Sequence, residues 1–251
     1  MVKWGDDILN LTTTRAVIIK AVDYREYDKL VTLYTEKLGK INAIAKGAKR
    51  KNSKFTSTTS SFCYGEYVLY KGKGMYLLNE ASTINSFQDF LNALSTIAYG
   101  SYLNELIDIG VVEGEPEYGL FKDLVTSYYF ISNNAVDKDL LMRAFEIKFL
   151  SYIGYGLNFG SCVSCGKEIK TSNFLDLNSN GFLCSNCTSS WSVKISNSAY
   201  NIMRYIVGTE LKNIYKLNVN EESKAQLHKL MKEMVRHCIG KNPKSLDILK
   251  I

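Results

Sequence analysis

The chain has 251 residues, of which 46% are hydrophobic and 22% are charged, and its formal net charge is +6. This composition is typical of an ordered globular protein and excludes disordered and collagen-like chains. The first ten residues lack the apolar segment of a signal peptide, and no apolar run approaches the roughly 18 residues of a membrane span, so we expect a cytoplasmic protein without a membrane partner.

The positive charge is concentrated in the first third of the chain. Residues 1–80 contain 14 Lys or Arg against 8 Asp or Glu, whereas residues 81–251 contain 17 of each. A localised surplus of this kind favours a polyanionic partner, with nucleic acid as the first choice and an acidic membrane surface as the second.

The first third is predicted to be β-structure. Short segments are rich in β-branched residues or alternate between apolar and polar residues, at positions 14–22, 29–35, 41–46, 65–70 and 75–78. Five short strands without a helix long enough to cover a sheet face favour a small closed barrel, which leaves no exposed edge.

Beyond Ser86 the apolar residues recur every three or four positions, as in helices. The first predicted helix has one apolar stripe, made of Leu91, Leu94, Ala98, Tyr102, Leu106 and Ile109. Further helices are predicted at about 115–131, 139–152, 196–207 and 221–239. The fold class is therefore α+β, with a barrel domain at residues 1–82 and a helical domain at residues 83–251.

Four of the six cysteines form two C-x-x-C pairs separated by eighteen residues: Cys162, Cys165, Cys184 and Cys187. This spacing predicts one structural Zn²⁺ ion in a small lobe at about residues 158–192. Four thiolates close the coordination shell, which argues against a catalytic metal. Disulfides or a redox pair are the alternatives, but neither an oxidising compartment nor a βαβ unit is indicated. Cys63 and Cys238 are expected to be small buried residues.

A basic loop is predicted after the third strand, with five cations in nine residues interleaved with Gly, Ser and Asn. Cations on a loop beside tyrosines are typical of proteins that bind single strands with little regard to sequence. A solvated turn is the alternative. The predicted DNA-binding residues of the barrel and its loop are Arg15, Lys20, Arg25, Lys29, Lys40, Lys46, Lys49, Arg50, Lys51 and Lys54.

The chain also resembles a known family. Residues 23–40 read DYREYDKLVTLYTEKLGK and residues 43–50 read AIAKGAKR, followed in order by SKF at 53–55, LYKG at 69–72, AFE at 144–146 and GYGLNF at 154–159. These segments and the cysteine pairs resemble the RecO family of bacterial recombination mediators through about residue 190. Ala16 and Gly156 depart from the Gly and Pro that are usual in the family.

The resemblance implies an N-terminal OB-fold and a repair factor that is not an enzyme. Such a protein binds single- and double-stranded DNA, anneals complementary strands and, with RecR, helps RecA load onto DNA coated by single-stranded DNA-binding protein (SSB). It also implies that the acidic tail of SSB docks on the helical domain, where Arg143 is the candidate contact. A buried salt bridge or a plain surface position is the alternative for Arg143.

Two other function classes compete with this interpretation. The first is an enzyme that processes nucleic acid, and the second is an adaptor whose zinc lobe docks a protein. Against an enzyme, the sequence has no G-x-x-x-x-G-K-[ST] phosphate loop, and His228 and His237 are isolated.

Overall fold

The computed structural model describes residues 10–241 and 243–247. Two of the predictions fall partly outside this range. The expected absence of a signal peptide concerns residues 1–10, of which only the tenth is described, and the predicted helical domain includes residues 248–251, which are not described. The chain divides into two compact units, residues 1–128 and 129–251. None of the helices in the described part is long and apolar enough to cross a membrane.

The first unit contains a closed barrel of five strands. They are β1 (Leu11–Tyr24), β2 (Asp28–Thr35), β3 (Gly39–Ala45), β4 (Tyr64–Lys71) and β5 (Tyr76–Asn85), in the order β1-β2-β3-β5-β4. The first half of β1 pairs with β4 and its second half with β2, which closes the barrel. This is the architecture of an OB-fold, and it confirms the predicted barrel.

The barrel interior is filled by alternate side chains of the strands and by part of the β3–β4 loop. Val31 and Leu33 face inward from β2, and Ala48, Phe55 and Cys63 join the same core from the loop. The Tyr67 hydroxyl of β4 donates to the Thr58 carbonyl at 2.8 Å. The loop that bears the predicted basic residues is therefore anchored from the inside by apolar packing.

Two further elements complete the first unit: α1 (Leu94–Gly110) and α2 (Tyr118–Ser132) as far as Tyr128. A 3-10 turn at Gln88–Asn92 precedes α1. The predicted stripe is buried at Ala98, Tyr102 and Leu106, but Leu91 and Leu94 are 54% and 72% exposed. That part of the prediction was wrong, because Leu91 lies in the 3-10 turn and the helix begins only at Leu94.

The segment that follows α1 pairs with the edge of β3 at its start. Lys40 and Glu113 form a parallel bridge, and the Gly114 amide donates to the Lys40 carbonyl at 3.0 Å. Gly39 has φ +66°, and a Cβ there would lie 2.3 Å from the Glu115 carbonyl oxygen. Glycine is therefore needed for both the turn and the close approach.

The second unit is built around α3 (Lys138–Tyr152), in which every residue from 140 to 147 is buried. It packs against α4 (Asn197–Gly208) and α5 (Glu221–Ile239). Asp137, Ser196 and Asn220 cap the three helices by accepting backbone amides. Between α3 and α4 lies a small sheet with the order β7-β6-β8, made of β6 (Phe174–Asp176), β7 (Gly181–Phe182) and β8 (Ser192–Lys194).

The compact unit that contains the barrel extends beyond the predicted domain boundary at residue 82. Phe62 of the β3–β4 loop, Phe90 of the 3-10 turn and Tyr128 of α2 form one ring cluster, with centroid distances between 5.3 and 5.9 Å. This aromatic packing holds the first helices on the barrel. The domain boundary between residues 82 and 83 therefore stays a prediction.

Candidate nucleic-acid interface and metal centre

Three connections of the barrel adjoin one another through strand pairing: the β1–β2 turn, the start of the β3–β4 loop and the β4–β5 turn. The register pairs that place them together are Tyr24↔Asp28, Lys29↔Ala45, Ala43↔Tyr76 and Lys71↔Tyr76. Residues 23–29, 46–54 and 71–76 thus form one continuous surface, which we call the basic rim. Its segments contain nine Lys or Arg and three Asp or Glu.

Seven of the ten predicted DNA-binding residues lie in the basic rim: Arg25, Lys29, Lys46, Lys49, Arg50, Lys51 and Lys54. The sequence-based set omitted Lys71 and Lys73, which the β4–β5 turn adds. The sequence Lys71-Gly72-Lys73-Gly74, typical of a hairpin turn, could have indicated them. The pairing of β5 with β3 and β4 places this turn near the end of β3. Lys46, Lys51, Lys71 and Lys73 form no ion pair with any residue that the structure describes.

Two cations of the basic rim are already engaged within the protein. Lys49 Nζ lies 2.8 Å from Asp23 Oδ2, and this ammonium holds the pKa of the Asp23 carboxyl below its usual range. Lys54 Nζ donates to the Asn79 carbonyl of β5 at 3.1 Å. These contacts fix the course of the loop, so Lys49 and Lys54 have less freedom to reach a phosphate than their neighbours.

An aromatic ring lies among these charges. The Arg50 guanidinium sits over the Tyr27 ring, 5.4 Å from its centroid, and Tyr27 is 47% exposed. The Lys49 amide donates to the Tyr27 carbonyl at 2.9 Å, and Gly47, with φ +68°, donates to Asp28 Oδ1 at 2.8 Å. The loop is therefore bound to the β1–β2 turn and offers a flat face beside its cations.

A row of apolar side chains crosses the outside of the barrel next to the basic rim, and sequence reasoning missed it. Paired positions on adjacent strands form this apolar row, in the order Val22, Leu30, Ile44, Leu77, Tyr70 and Leu11. None of the six belongs to the barrel core. The sequence did contain evidence for this row. Leu30 and Ile44 alternate with the inward-facing residues of their strands, so their side chains must point outward. Apolar faces beside cations suit unstacked bases.

Three predicted residues lie outside the basic rim. Arg15 lies opposite Glu66 in the register of β1 and β4. Lys20 Nζ lies 3.7 Å from Asp108 Oδ2 on α1. Lys40 is only 7% exposed, and its ammonium donates to the Asp108 carbonyl. A buried ammonium with a partner cannot meet a phosphate in place, so Lys40 is removed from the proposed surface.

The four cysteines converge in the second unit. Their Sγ atoms all lie within 4.8 Å of one another, and those of Cys165 and Cys184 are 3.8 Å apart. A tetrahedral ion with metal–sulfur bonds of about 2.3 Å needs sulfurs about 3.8 Å apart. The residues therefore fit a metal ion, and among the described residues this is the one group of His, Cys, Asp and Glu placed to hold one.

Two tight turns present these thiols. The Gly166 amide donates to the Cys162 carbonyl at 2.8 Å with Gly166 at φ +74°, and the Cys187 amide donates to the Cys184 carbonyl at 3.2 Å. A Cβ on Gly181 would lie 2.3 Å from a methyl carbon of Val163. The two turns can approach each other only because residue 181 has no side chain.

The surroundings of the thiols favour ionisation at two of them. Burial opposes ionisation of Cys162, but amides of Cys184, Cys165 and Ser164 outweigh it and lower the pKa to about 6. The Asn186 amide likewise lowers the pKa of Cys184. The Ser164 side chain favours ionisation of Cys187, but the neighbouring thiols and burial together outweigh it and raise the pKa to about 12. Amides directed at sulfur are typical of thiolate ligand sites.

Arg143 lies inside the second unit and not on its surface. It is 1% exposed, its Nη2 donates to Glu146 Oε1 at 2.7 Å, and its Nη1 lies 3.8 Å from Asp139 Oδ1. Its Nη1 also contacts His228 Nδ1. The alternative of a buried salt bridge describes this arrangement, so we do not place Arg143 in a partner-binding surface.

Comparisons with known proteins agree along nearly the whole chain. The family model described as Recombination protein O N terminal matches residues 9–87, and the one described as Recombination protein O C terminal matches residues 91–247. The DNA repair protein RecO of Clostridium novyi (strain NT) is 44% identical over 244 residues, which cover 97% of this chain and 95% of the relative.

Two further relatives match over nearly the same span. The DNA repair protein RecO of Clostridium kluyveri is 46% identical over 246 residues, 98% of this chain and 96% of the relative. That of Acetivibrio thermocellus is 32% identical over 244 residues, 96% of this chain and 97% of the relative. With two family models and full-length relatives in agreement, the chain belongs to the RecO family.

Proposed function

We propose that this protein acts in DNA repair and recombination as a mediator that binds single- and double-stranded DNA and anneals complementary strands. With RecR it helps RecA load onto DNA coated by SSB, whose acidic tail it also binds. It does so without catalysing a chemical step, in the cytoplasm at the chromosomal DNA. The relatives are named DNA repair proteins, and the molecule offers a surface suited to such a role.

One observation supports the proposal most strongly: cations from three separate connections of the barrel share the basic rim with an exposed tyrosine, and the apolar row lies next to them. Cations neutralise phosphates, and flat or apolar faces receive bases that are not paired. Two complementary strands repel each other, and a cationic surface lowers the electrostatic cost of bringing them together. The same surface tolerates any sequence, as an annealing factor requires.

The metal supports the fold in this proposal. Four thiolates suit a structural Zn²⁺, with Cys162, Cys165, Cys184 and Cys187 as ligands that complete the coordination shell. The ion stabilises a lobe whose sheet has strands of only two or three residues. We therefore assign DNA binding to the basic rim and mechanical support to the metal.

A strand-annealing assay tests the proposal directly. Two complementary oligonucleotides with a fluorophore and a quencher are mixed with the protein in buffers with and without Mg²⁺. We expect faster loss of fluorescence with the protein, intact strands on a denaturing gel, and no need for Mg²⁺ or nucleotide.

Other outcomes support the competing classes. Cut strands would identify an enzyme that processes nucleic acid. Absence of DNA binding at moderate salt would identify an adaptor, in which the charge of the basic rim is incidental. The control is a variant without three exposed cations of the basic rim, Lys46→Ala with Arg50→Ala and Lys51→Ala, which is expected to anneal more slowly.

A further inference from the structure

The second unit contains an open pocket with a volume of about 700 Å³ at the C-terminal end of α5. Its lining includes Leu177, Trp191, Glu233, Arg236, His237 and Lys241. Trp191 is 56% exposed, and its ring centroid lies 5.9 Å from that of His237. A tryptophan normally buries most of its large apolar surface, so an exposed one at the edge of a pocket points to a ligand.

The backbone holds Trp191 in place. Its amide donates to Ser189 Oγ at 3.1 Å, and its carbonyl accepts the Leu177 amide at 3.2 Å. The first bond closes a local turn just before β8, and the second ties Trp191 to the end of β6. The backbone of Trp191 therefore has a fixed position, and the ring, next to that of His237, offers a flat group a face to stack on.

A line of cations leads along α5 to this pocket. Lys229, Lys232 and Arg236 are exposed on one face of the helix, and Lys241 follows beyond its end. The helix rises 1.5 Å per residue, so Lys229 and Arg236 lie roughly 10 Å apart along the axis. None of the four forms an ion pair with a residue that the structure describes, and Glu233 is the one acid among the pocket residues named above.

The helix dipole explains only part of this charge. Cations in the last turn of a helix are stabilised by its negative end, and Arg236 is in that turn. Lys229 and Lys232 lie further from the end and outside the reach of this effect. A peptide with one or two carboxylates would use the cations at the pocket and leave the rest of the line without a partner. Charges repeated along a line match a polymer of phosphates.

We propose that the pocket of Trp191 and the cationic face of α5 form a second binding surface for single-stranded nucleic acid, separate from the basic rim. One base stacks on the indole, and the neighbouring phosphates lie against Arg236, Lys241 and the lysines of α5. The inference rests on the proposed function for its ligand class, and it gives a strand-annealing protein a place for each of two strands.

The test uses the full chain with Trp4→Phe, which leaves Trp191 as the sole tryptophan. A short oligothymidylate at low salt is expected to quench the tryptophan emission. An oligonucleotide containing 5-iododeoxyuridine is expected to crosslink to the peptide that contains Trp191. Absence of both signals while the oligonucleotide still binds would overturn the second surface and leave the proposed function standing.

Variants give an independent measure. In a chain whose basic rim is weakened by Lys46→Ala, Arg50→Ala and Lys51→Ala, we expect Trp191→Ala to weaken the binding that the second surface contributes about five- to 150-fold, the range for one stacked base. The set Arg236→Ala with Lys241→Ala is expected to lower the slope of log affinity against log salt by about 1.4. Matched controls in the same unit are Tyr215→Ala and the pair Arg204→Ala with Lys170→Ala, which are expected to change neither value.

Two outcomes would replace the proposal. If an acidic peptide with an aromatic end quenches Trp191 and the oligonucleotide does not, the pocket is a peptide site. If the control variants weaken binding as much as the pocket variants, the second unit attracts DNA only through its general charge. If the full chain binds no oligonucleotide at all, both this inference and the proposed function fail.

Discussion

Arg143 and His228 belong to one polar cluster in the second unit, together with Asp139 and Glu146. The His228 Nδ1 contacts the Arg143 guanidinium and lies 3.7 Å from Asp139 Oδ1. Burial lowers the pKa of His228, and the positive charges of Arg143 and Lys232 lower it further, against the opposing effect of Asp139. The imidazole is therefore neutral at pH 7 and accepts a hydrogen bond from Arg143.

This cluster predicts a loss of stability in mild acid. Because the pKa of His228 is lower in the folded state than the ordinary value of about 6.5, the unfolded chain takes up its proton first as the pH falls. We expect the free energy of unfolding to decrease from pH 7.5 to pH 5.5 and this decrease to be smaller in His228→Gln. Urea unfolding monitored by circular dichroism at the two pH values measures both.

The exposed His237 provides the control for this prediction, since it lies on the same helix outside the buried cluster. His237→Gln is expected to retain the wild-type dependence on pH. If His228→Gln loses as much stability as the wild type between the two pH values, titration of His228 does not account for the effect.

At the residue scale, the sequence indicated which cations are candidates for binding, but it did not indicate whether their side chains are exposed. Lys40 and Arg143 were candidates for surface contacts, yet both are buried against partners far along the chain or one helical turn away. A strand or helix presents a residue to solvent only if nothing packs on that face. The covering groups, such as Asp108 for Lys40, cannot be identified from local sequence.

At the scale of elements, local patterns predicted the strands well and the helix starts less well. Apolar and polar residues alternate along a strand because one face lies inside the barrel and the other outside. This alternation located all five strands, although β1 is longer than predicted and extends from Leu11 to Tyr24. The apolar period that began at Leu91 continued through a 3-10 turn, where it no longer corresponds to a buried face. Periodicity alone does not separate these two cases.

The basic rim is the element whose charge we expect to control DNA binding. Lys46, Arg50 and Lys51 are exposed and have no ion-pair partner among the described residues, whereas Lys49 and Lys54 are held by Asp23 and Asn79. Replacing the first three by Ala is expected to weaken binding to single-stranded DNA and to lower the slope of log affinity against log salt by about 2, at roughly 0.7 per lost phosphate contact.

A variant of equal charge controls for general electrostatics. Arg15→Ala with Lys20→Ala and Lys37→Ala removes three exposed cations of the barrel that lie outside the basic rim. Fluorescence anisotropy titrations of a labelled oligonucleotide at several salt concentrations compare the two variants. Equal slopes for both would show that the position of the charge does not matter and would remove the rim from the binding site.

At the scale of the whole molecule, the charge asymmetry of the sequence pointed to the surface that we propose on the barrel and gave no sign of the one that we propose on α5. Residues 81–251 contain equal numbers of cations and acids, so their sum indicated no partner. The fold gathers several of these cations: α5 exposes Lys229, Lys232 and Arg236 on one face, with Glu233 among them, beside a tryptophan from the lobe. The net charge of a chain segment describes its surface only where folding distributes the cations and the acids evenly.

The metal centre connects the lobe to this second surface. Cys184 follows β7, β6 pairs with both β7 and β8, and Trp191 directly precedes β8. The strands of this sheet bury few side chains, so the ion that we propose at the four cysteines would stabilise its geometry. Loss of the metal should therefore release Trp191 from its fixed position, while the barrel retains its own core.

Removal of the metal, by a chelator or by Cys162→Ser with Cys165→Ser, is accordingly expected to have a divided effect. Zinc appears in solution by a colorimetric assay, residues 158–192 become sensitive to protease, and quenching of Trp191 by oligothymidylate is lost. Binding at the basic rim, with its salt dependence, is retained. Cys238→Ser is the control, since its thiol lies outside the cluster. A complete loss of DNA binding in a chain whose barrel remains folded would contradict this division and place the metal within the principal DNA site.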